Sequence, residues 1–400
     1  MKQTEIGLIP DDWEVNLIGN VSEIFGRIGF RGYTVEDLVD EGFGAITLSP
    51  SNIQNGKMDF SNCSYISWKK YDESPEIKIA NGDILLVKTG STYGKSAIVK
   101  NLAKKATINP QFVVIKKTKC NNELLGYLIQ TPIVQEQIEA SIVGGAIPTL
   151  SQKQIASFKI PLSKSIKEQQ RIAKALSDVD SVISTTEKLL QKKKNIKQGT
   201  MQELLTGKKR LPGFAKSTNT KMTELGEIPE DWEVKSVSSL LKIGHGKDYK
   251  NLKEGAVPVF GTGGYMTSVN DYLYDGDTVC IGRKGTIDKP FFHTGKIWTV
   301  DTLFYTYDFV NCIPKFIYYA FCLVDWLSMN EASGVPSLTS KNIEDVFLCI
   351  PSNVSEQTAI VNVLSDMDAE IEKLSAKLQK YHQLKTAMMQ QLLTGKIRLV

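Results

Sequence analysis

The sequence predicts an α+β protein built as a duplicated unit, with two mixed α/β domains joined by two long helices that pack on each other. Two stretches of the 400 residues, 168–211 and 356–399, match at 21 of 44 positions at a constant offset of 188. A shorter repeat, TEIGLIPDDWEV at residues 4–15, returns as TELGEIPEDWEV at residues 223–234. Because both repeats keep their order along the chain, duplication of one unit explains them together.

The two long near-copies have the apolar spacing of coiled-coil helices. In the second copy apolar residues recur in steps of four and three, which is the seam along which two helices pack, and the first copy keeps this seam. A helix of about 40 residues rises about 60 Å, too long to be buried in one ordinary domain, so the two seams are expected to pack together. The second seam skips one position, at Lys385. The predicted seam residues are Ile172, Leu176, Val179, Ile183, Leu190, Ile196 and Leu204 in the first copy, and Ile360, Leu364, Met367, Ile371, Leu374, Leu378, Tyr381, Met388 and Leu392 in the second.

The composition is that of an ordinary globular protein, with 42% hydrophobic residues, 23% charged residues and a net charge of +4. The six cysteines are scattered without a CxxC pair, and the three histidines lie far apart, which argues against a metal site. The polar start MKQTEIGLIPDDWE lacks the apolar core of a signal peptide, and no run is long enough to span a membrane. These features predict a soluble, cytoplasmic chain with reduced cysteines.

The globular parts are predicted to be strand-rich. Residues 17–160 are punctuated by Gly, Asn and Pro, with Asn55-Gly56 as a hairpin signal. Residues 122–140 and 314–329 predict helical segments, and residues 211–221 predict a linker because they lack periodicity and contain Pro, Gly and Ser. The predicted organisation is a first domain at 1–162, a first long helix at 163–210, a linker at 211–221, a second domain at 222–352 and a second long helix at 353–400.

The offset between the repeats changes along the chain. It is 219 at the tryptophans Trp13 and Trp232, 194 at the Gly-Asp pairs that begin at Gly82 and Gly276, and 188 along the helices. The helices thus keep their register while the globular parts diverge. One scaffold that carries two surfaces of different specificity fits this pattern, although an old duplication with drifted domains would look similar.

A glycine-rich loop in each half follows a Gly-Asp strand and carries cations. The first, GSTYGKS at residues 90–96, has three residues between its glycines where a phosphate-binding loop needs four, and the following AIVK predicts a strand instead of a helix. A structural hairpin explains the glycines but not the cations. Arg, Lys, Ser and Thr are used for phosphates and guanine edges, so DNA-facing loops are predicted. The candidate residues are Lys88, Ser91, Tyr93 and Lys95 in the first loop, and Arg283, Lys284 and Thr286 in the second.

Two further stretches, RIGFRGY at residues 27–33 and GHGKDYK at residues 244–250, mix Gly, cations and an aromatic residue, as nucleic-acid contact loops often do. A solvated turn with one packed aromatic explains them equally well. Thr262 and Tyr265, in the motif PVFGTGGY, complete the candidates for DNA contact in the second half. The other candidates in these stretches are Arg27, Arg31 and Tyr33 in the first half, and His245, Lys247, Tyr249 and Lys250 in the second.

The sequence offers no motif for hydrolytic or transfer chemistry, since G-x-S-x-G, HExxH and CxxC are absent. Eight Lys or Arg against two Glu between residues 187 and 210 are better explained as a solvated helix face than as a binding site. Four acidic residues of the long helices are candidates for helix-face or partner contacts: Asp178, Asp180, Asp366 and Asp368.

In its order of motifs the chain resembles the specificity subunit of type I restriction–modification systems over nearly its whole length. The resemblance is carried by IPDDWEV and IPEDWEV, IPTLSQKQIASFKIPL and VPSLTSKNIEDVFLCIP, EQQRIAKALSDVD and EQTAIVNVLSDMD, and QELLTGKKRL and QQLLTGKIRL. In the second half PVFGTGGY, GDTVCIGRKGTI and WTVDTLFY also match a common form of the family's recognition domain. Residues 17–80 depart from the pattern of the second half, so the contacts that the resemblance implies are least transferable to these residues.

The resemblance implies two target-recognition domains joined by an antiparallel coiled coil with pseudo-two-fold symmetry. Each domain is expected to bind one half of a bipartite site in double-stranded DNA, while the helices fix the spacing. Two adenine-N6 methyltransferase subunits and the restriction/translocase subunits are the implied partners. Adenosylmethionine, ATP and Mg²⁺ would be bound by those partners, with no cofactor, catalytic residue or metal in this chain.

Two alternatives are the recognition part of an enzyme that fuses methyltransferase and nuclease to such domains, and a coiled-coil scaffold that does not bind DNA. Against the first, the chain begins at a recognition domain and lacks catalytic motifs. Salt-dependent binding to duplex DNA distinguishes a DNA-recognition protein from the second.

Overall fold

The computed structural model describes residues 1–142, 148–215, 219–330 and 332–399, apart from the side chain of Phe30. The chain divides into two compact units: unit 1 comprises Met1–Thr185 and Leu378–Val400, and unit 2 comprises Thr186–Lys377. Each unit therefore contains one globular body and parts of both long helices. Within the described ranges, no helix is both long and apolar enough to cross a membrane.

Unit 1 begins with short strands and ends in a long helix. Its strands are β1 (Lys2–Thr4), β2 (Gly7–Ile9), β3 (Trp13–Leu17), β4 (Glu23–Gly26), β5 (Leu38–Val39), β6 (Gly44–Leu48), β7 (Ile53–Gln54), β8 (Lys57–Met58), β9 (Ser64–Ser67), β10 (Ile84–Val87), β11 (Ser96–Ile98), β12 (Ala106–Ile108), β13 (Phe112–Lys116) and β14 (Lys159–Ser163). Its helices are α1 (Ile18–Val21), α2 (Trp68–Asp72), α3 (Asn122–Ile129), α4 (Pro132–Ala140), α5 (Gln152–Ser157) and the first half of α6 (Ile166–Leu205).

The described strands of unit 1 form a six-stranded sheet, β4-β13-β10-β11-β8-β7, a four-stranded sheet, β12-β6-β9-β5, and the pairs β1-β2 and β14-β3. All four residues of β10, Ile84–Val87, are buried, because this apolar strand lies between β13 and β11 in the larger sheet. The hairpin at Asn55-Gly56 is confirmed. Both residues have positive φ (51° and 73°), as the two-residue turn between β7 and β8 requires.

The helical segment predicted at residues 122–140 is two helices, α3 and α4. The side chain of Asn121 accepts a hydrogen bond from the Leu124 N–H and caps α3. Pro132 begins α4 at its first helical position, where a missing N–H costs nothing. A proline inside one continuous helix would have removed a hydrogen bond, so the break follows from the sequence.

Unit 2 repeats the order of the elements with longer strands. Its strands are β15 (Thr220–Thr223), β16 (Gly226–Pro229), β17 (Trp232–Ser236), β18 (Lys242–His245), β19 (Glu254–Gly261), β20 (Gly264–Val269), β21 (Tyr274–Gly282), β22 (Phe291–Thr299), β23 (Leu303–Tyr307) and β24 (Phe347–Pro351). Its helices are α7 (Val237–Leu240), α8 (Pro314–Phe321), α9 (Ser340–Glu344) and most of α10 (Val354–Leu392).

The described strands of unit 2 form a six-stranded sheet, β18-β23-β21-β22-β19-β20, and the pairs β15-β16 and β17-β24. The helical segment predicted at residues 314–329 is α8 followed by a 3₁₀ turn at Trp326–Met329. The main core lies between the sheet, α8 and the long helices, and it buries Trp232, Phe304, Phe316 and Leu364.

The predicted seam is confirmed along most of both helices, and in each unit the two helices run antiparallel. In unit 2 Leu190, Leu204, Ile360 and Leu364 are buried, and in unit 1 the same holds for Ile172, Leu176, Ile183 and Leu392. Ile196 is the exception, because its side chain is 44% exposed. The steps of four and three continue from Leu190 through Lys193 and Lys197, so two lysines occupy the seam where an isoleucine was predicted.

Each seam lysine is neutralised by an acidic residue of the opposite helix. In unit 2 Lys193 pairs with Glu370 at 2.7 Å, and Lys197 pairs with Asp368. In unit 1 Lys385 occupies the position that the predicted apolar seam skips, and it pairs with Asp180 at 2.8 Å. A polar pair within an apolar seam disfavours shifted registers, because a shift would leave the charges unpaired.

In each unit a buried tryptophan, a glutamate and an arginine form a cluster that we call the tryptophan corner. In unit 2 the buried Glu356 accepts hydrogen bonds from the Trp232 indole (3.3 Å) and from Arg210, whose guanidinium also pairs with Asp231. In unit 1 Glu168 accepts from the Trp13 indole (3.2 Å) and from Arg398, which also pairs with Asp12. Each arginine lies over its tryptophan ring, with the guanidinium carbon 5.6 Å and 5.8 Å from the ring centroid.

The repeated Leu-Thr-Gly-Lys motif ends each long helix at this corner. Gly207 and Gly395 have φ of 72° and 69°, the left-handed conformation that glycine adopts just past a helix. Backbone hydrogen bonds from Lys209 to Glu203 and from Ile397 to Gln391, both 3.1 Å, complete the two caps. A Cβ at Gly207 or Gly395 would clash with the ring of Pro229 or Pro10, so glycine is needed for space as well.

Candidate nucleic-acid interface

Three loops of unit 2 that the sequence singled out meet at one groove. The groove has a volume of about 780 Å³. It is lined by Asp248, Tyr249, Lys250, Gly261, Thr262, Gly263, Gly264, Tyr265, Met266, Val300, Asp301 and Thr302. Four predicted contact residues, Tyr249, Lys250, Thr262 and Tyr265, are therefore brought together by the fold.

The cationic loop after β21 adjoins this groove. The Arg283 N–H donates to the Thr302 carbonyl at 2.7 Å, and its guanidinium donates to the Asp301 carbonyl at 3.3 Å. Arg283 and Lys284 are exposed, whereas Thr286 is half-buried. Arg283 thus places an exposed, positively charged side chain beside a groove that is lined by aromatic and glycine residues.

The remaining predicted residues of unit 2 flank the same end of the sheet. His245 is the last residue of β18, and its exposed ring packs edge-on against Phe304. Lys247 is exposed, and its N–H donates to the Thr299 carbonyl at 2.8 Å. Both sides of the groove therefore carry basic or polar side chains.

The candidates from the sequence did not include eight of the twelve groove residues, which are Asp248, Gly261, Gly263, Gly264, Met266, Val300, Asp301 and Thr302. Asp301 and Thr302 belong to the motif WTVDTLFY, which was noted for the resemblance but not for its side chains. Tyr265 is 63% exposed although it is aromatic, and Met266 is exposed beside it. Exposed apolar side chains on a glycine-rich turn are typical of a surface that contacts a partner.

In unit 1 the predicted residues are more dispersed. Tyr93 and Lys95 line a groove of about 460 Å³ together with the Asn55-Gly56 hairpin, Gln130 and Gln135. Lys95 and Ser91 are exposed, whereas Tyr93 is half-buried and packs against the core. Lys88 is half-buried, and burial lowers the pKa of its ammonium group.

Arg27 does not belong to an exposed contact surface, which corrects the prediction for this residue. It is 5% exposed, and its guanidinium donates to the carbonyls of Ile108 and Arg31 and to the Thr107 hydroxyl. It also lies 5.2 Å from the ring centroid of Tyr33, which is half-buried. Arg27 therefore stabilises its own loop. The sequence alone could not distinguish this buried arginine from an exposed one.

Arg31 is half-buried and forms an ion pair with Glu76 at 3.5 Å. Tyr33 accepts a hydrogen bond from the Thr47 hydroxyl at 3.3 Å. The equally weighted interpretation of RIGFRGY as a turn with a packed aromatic therefore describes residues 27–33 better than a contact loop does.

The four helix aspartates divide into two pairs. Asp180 and Asp368 accept hydrogen bonds from Tyr127 (2.7 Å) and Tyr319 (2.8 Å) and also pair with the seam lysines, so their carboxylates serve contacts within each unit. Asp178 and Asp366 are exposed, although Asp178 also pairs with Lys174 one turn away. The prediction of a partner contact stays a prediction, and it now depends on the exposed pair.

The basic run at residues 187–210 is only partly a solvated face. Lys188, Lys192, Lys194, Lys208 and Lys209 are exposed, as the simpler interpretation requires. Lys193, Lys197 and Arg210 instead form ion pairs with acidic residues of α10. Among the described residues, no group of three or more His, Cys, Asp or Glu is arranged to hold a metal ion.

The chain is similar to known proteins over nearly all of its length. A family model described as the type I restriction modification DNA specificity domain matches residues 10–198 and 229–380. A Methanocaldococcus jannaschii protein provisionally named as the type I restriction enzyme MjaX specificity subunit is 26% identical, over 99% of this chain and 96% of its own length. The type I restriction enzyme MjaVIII specificity subunit of that organism is 31% identical over 60% of this chain and 52% of its own length.

Among solved structures, the S subunit of a type I restriction-modification system from M. genitalium shares the fold. The TM-score is 0.64 at 15% sequence identity, and the match covers 98% of both chains. A structure described as addressing complex assembly and conformational transition of the type I R-M system matches with a TM-score of 0.56, also at 15% identity.

Proposed function

This chain belongs to the type I restriction modification DNA specificity family, and from that premise we propose that it reads a bipartite DNA target, one half-site with each unit. Membership in this family makes it a DNA-recognition subunit and not a catalytic one. The observation that carries the proposal is that Tyr249, Lys250, Thr262 and Tyr265 line one groove of unit 2, with Arg283 bonded to Asp301 beside it.

The chemistry of this groove suits duplex DNA. Lys250, Lys247 and Arg283 can neutralise phosphates, which position a protein on DNA without regard to sequence. An arginine can also donate two hydrogen bonds to the O6 and N7 atoms of guanine in the major groove. The same residues would therefore supply both affinity and base selection.

The proposal extends to partners. Two adenine-N6 methyltransferase subunits would dock on the chain, and restriction/translocase subunits would join that assembly. The long helices would fix the spacing between the half-sites, and exposed Asp178 and Asp366 would contribute to the docking surface. Adenosylmethionine, ATP and Mg²⁺ would be bound by the partner subunits, since this chain's own role is to bind and orient DNA.

DNA binding is expected to depend steeply on salt. Neutralising Z phosphates releases counterions, so the logarithm of the binding constant falls with the logarithm of salt concentration at a slope of about −0.9 Z. If each unit contributes three or four cations, affinity should fall by roughly 10³-fold or more between 50 and 200 mM salt. Fluorescence anisotropy of a labelled target duplex with the chain and its methyltransferase subunits measures this slope.

Replacing Lys247 and Lys250 together by alanine should flatten the salt slope by about two. The control is the double variant Lys221→Ala and Lys242→Ala, which removes the same charge from exposed positions of unit 2 that do not line the groove. Binding that does not respond to salt would contradict DNA recognition and favour the scaffold alternative.

A further inference from the structure

A short segment before the second long helix holds the cationic loop of unit 2. The Gly285 N–H donates to the Pro336 carbonyl at 2.8 Å, and the Leu338 N–H donates to the Arg283 carbonyl at 2.9 Å. Between these bonds, Lys284 and Ser337 form an antiparallel β-bridge. We call residues 283–285 the contact loop of unit 2 and residues 336–338 its brace.

Unit 1 contains the same arrangement at positions that the sequence did not pair. The Gly90 N–H donates to the Pro148 carbonyl at 3.2 Å, the Leu150 N–H donates to the Lys88 carbonyl at 2.8 Å, and Thr89 and Thr149 form the β-bridge. Residues 88–90 are therefore the contact loop of unit 1, and residues 148–150 are its brace.

The hydrogen bonds fix which residues are equivalent in the two units. Lys88 corresponds to Arg283, Thr89 to Lys284, and Gly90 to Gly285. The N–H of each cation also donates to a neighbouring carbonyl, from Lys88 to Gln111 at 2.8 Å and from Arg283 to Thr302 at 2.7 Å. The backbone of each cation is thus held on both sides. The Arg283 side chain is exposed and donates to the Asp301 carbonyl at 3.3 Å.

Each brace is anchored in the core of its unit. Leu150 and Leu338 are buried. The residue after each leucine, Ser151 or Thr339, caps the short helix α5 or α9 through a reciprocal capping box. Ile155 and Ile343 on these helices are fully buried. The segments PTLSQKQI at residues 148–155 and PSLTSKNI at residues 336–343 therefore connect the core of each unit directly to its contact loop.

We propose that Lys88 and Arg283 are equivalent base-contacting residues, one for each half-site, and that the two braces are the elements that position them. The proposal rests on the proposed function and goes beyond it by assigning one specificity-determining residue to each unit. Both side chains are donors without acceptors, so each selects a base pair that presents acceptors in the major groove, guanine above all.

Because the two cations differ chemically, the two half-sites are expected to tolerate base changes to different degrees. Arginine donates through a planar fork that fits the O6 and N7 atoms of guanine together, whereas lysine is a point donor. The half-site bound by unit 2 should therefore be more strictly selected at its contacted position. Among the described residues the ammonium group of Lys88 makes no hydrogen bond or ion pair, so it can donate to an acceptor on DNA.

The test maps methylated adenines after the full chain, wild-type or variant, acts with its methyltransferase subunits on random-sequence DNA. Arg283→Ala should reduce the preference for the cognate base at one position of one half-site by roughly tenfold to a hundredfold. Lys88→Ala should do the same in the other half-site only. Lys88→Arg should keep the same base, because donors remain at that position.

Two matched controls remove an equal charge elsewhere in each unit. Lys117→Ala and Lys242→Ala break exposed ion pairs with Glu23 and Asp308, and they should leave the motif unchanged. Gly285→Ala tests the brace, because φ at Gly285 is +90° and an alanine there strains the donor to Pro336. This variant should relax the half-site of unit 2 and leave the half-site of unit 1 intact, which a general loss of stability would not do.

The outcomes separate the two proposals. A wild-type chain that directs no bipartite methylation contradicts the proposed function itself. A wild-type bipartite motif that persists unchanged in Lys88→Ala and Arg283→Ala overturns the assignment of these residues alone. A change in both half-sites from either single variant would also overturn it.

Discussion

Replacing Trp232 by alanine is expected to lower the free energy of unfolding by about 3–5 kcal/mol, the usual cost of deleting a buried tryptophan. Trp232 is fully buried at the tryptophan corner, and its indole N–H donates to Glu356. A Cβ added at Gly207, where the long helix ends, would lie 3.4 Å from the Trp232 ring. The substitution would therefore open a cavity at the point where β17, α6 and α10 meet.

Urea unfolding of the full chain measures this loss as a lower midpoint. Trp232→Phe fills most of the space but removes the indole donor, so it should lose only roughly 1–3 kcal/mol, the contribution of one hydrogen bond to a charged group. Equal losses from Trp232→Phe and Trp232→Ala would show that packing at this corner is not what stabilises the unit.

Glu356→Ala is expected to lower the free energy of unfolding by about 3 kcal/mol, because removing one partner of a buried ion pair leaves the other charge uncompensated. The carboxylate is about 1% exposed and accepts from both Arg210 and Trp232. The loss falls at the lower end of the usual range because Asp231 still faces the guanidinium.

Urea unfolding of the full chain also measures this loss, with Glu233→Ala as the matched control. Glu233 is an exposed glutamate of the same unit that pairs with Lys235, so its loss should change stability little. In unit 1, Glu168→Ala should repeat the effect through Trp13 and Arg398. A stability of Glu356→Ala no lower than that of the control would contradict the role assigned to this corner.

Much of the fold followed from the sequence because it depends on local patterns. The hairpin at Asn55-Gly56 needs only two residues that tolerate positive φ. Prediction of the heptad seam needs only the spacing of apolar residues, and it was wrong only at Ile196. There the sequence offered an isoleucine, but the true seam positions are lysines whose acidic partners lie more than 170 residues away. A pattern search by hydrophobicity alone cannot find a charged seam position.

The candidate site was predicted less completely because it depends on long-range hydrogen bonds. Arg27 and Arg283 look alike in sequence, yet the first is buried and donates to the Ile108 carbonyl of a distant strand, whereas the second is exposed. The motifs IPTLSQKQI and VPSLTSKNI were interpreted only as lead-ins to the long helices. Their contact with the cationic loops appears only when residues about 50 to 60 positions apart are brought together.

Mapping N6-methyladenine shows whether this chain selects a two-part DNA sequence for its partners. The chain and its methyltransferase subunits are co-expressed in a host without adenine methylation, and the methylated positions are sequenced genome-wide. We expect one motif with two specific halves separated by a spacer of fixed length and unspecified sequence. Methylation that is absent, or that follows a single uninterrupted motif, would contradict this expectation.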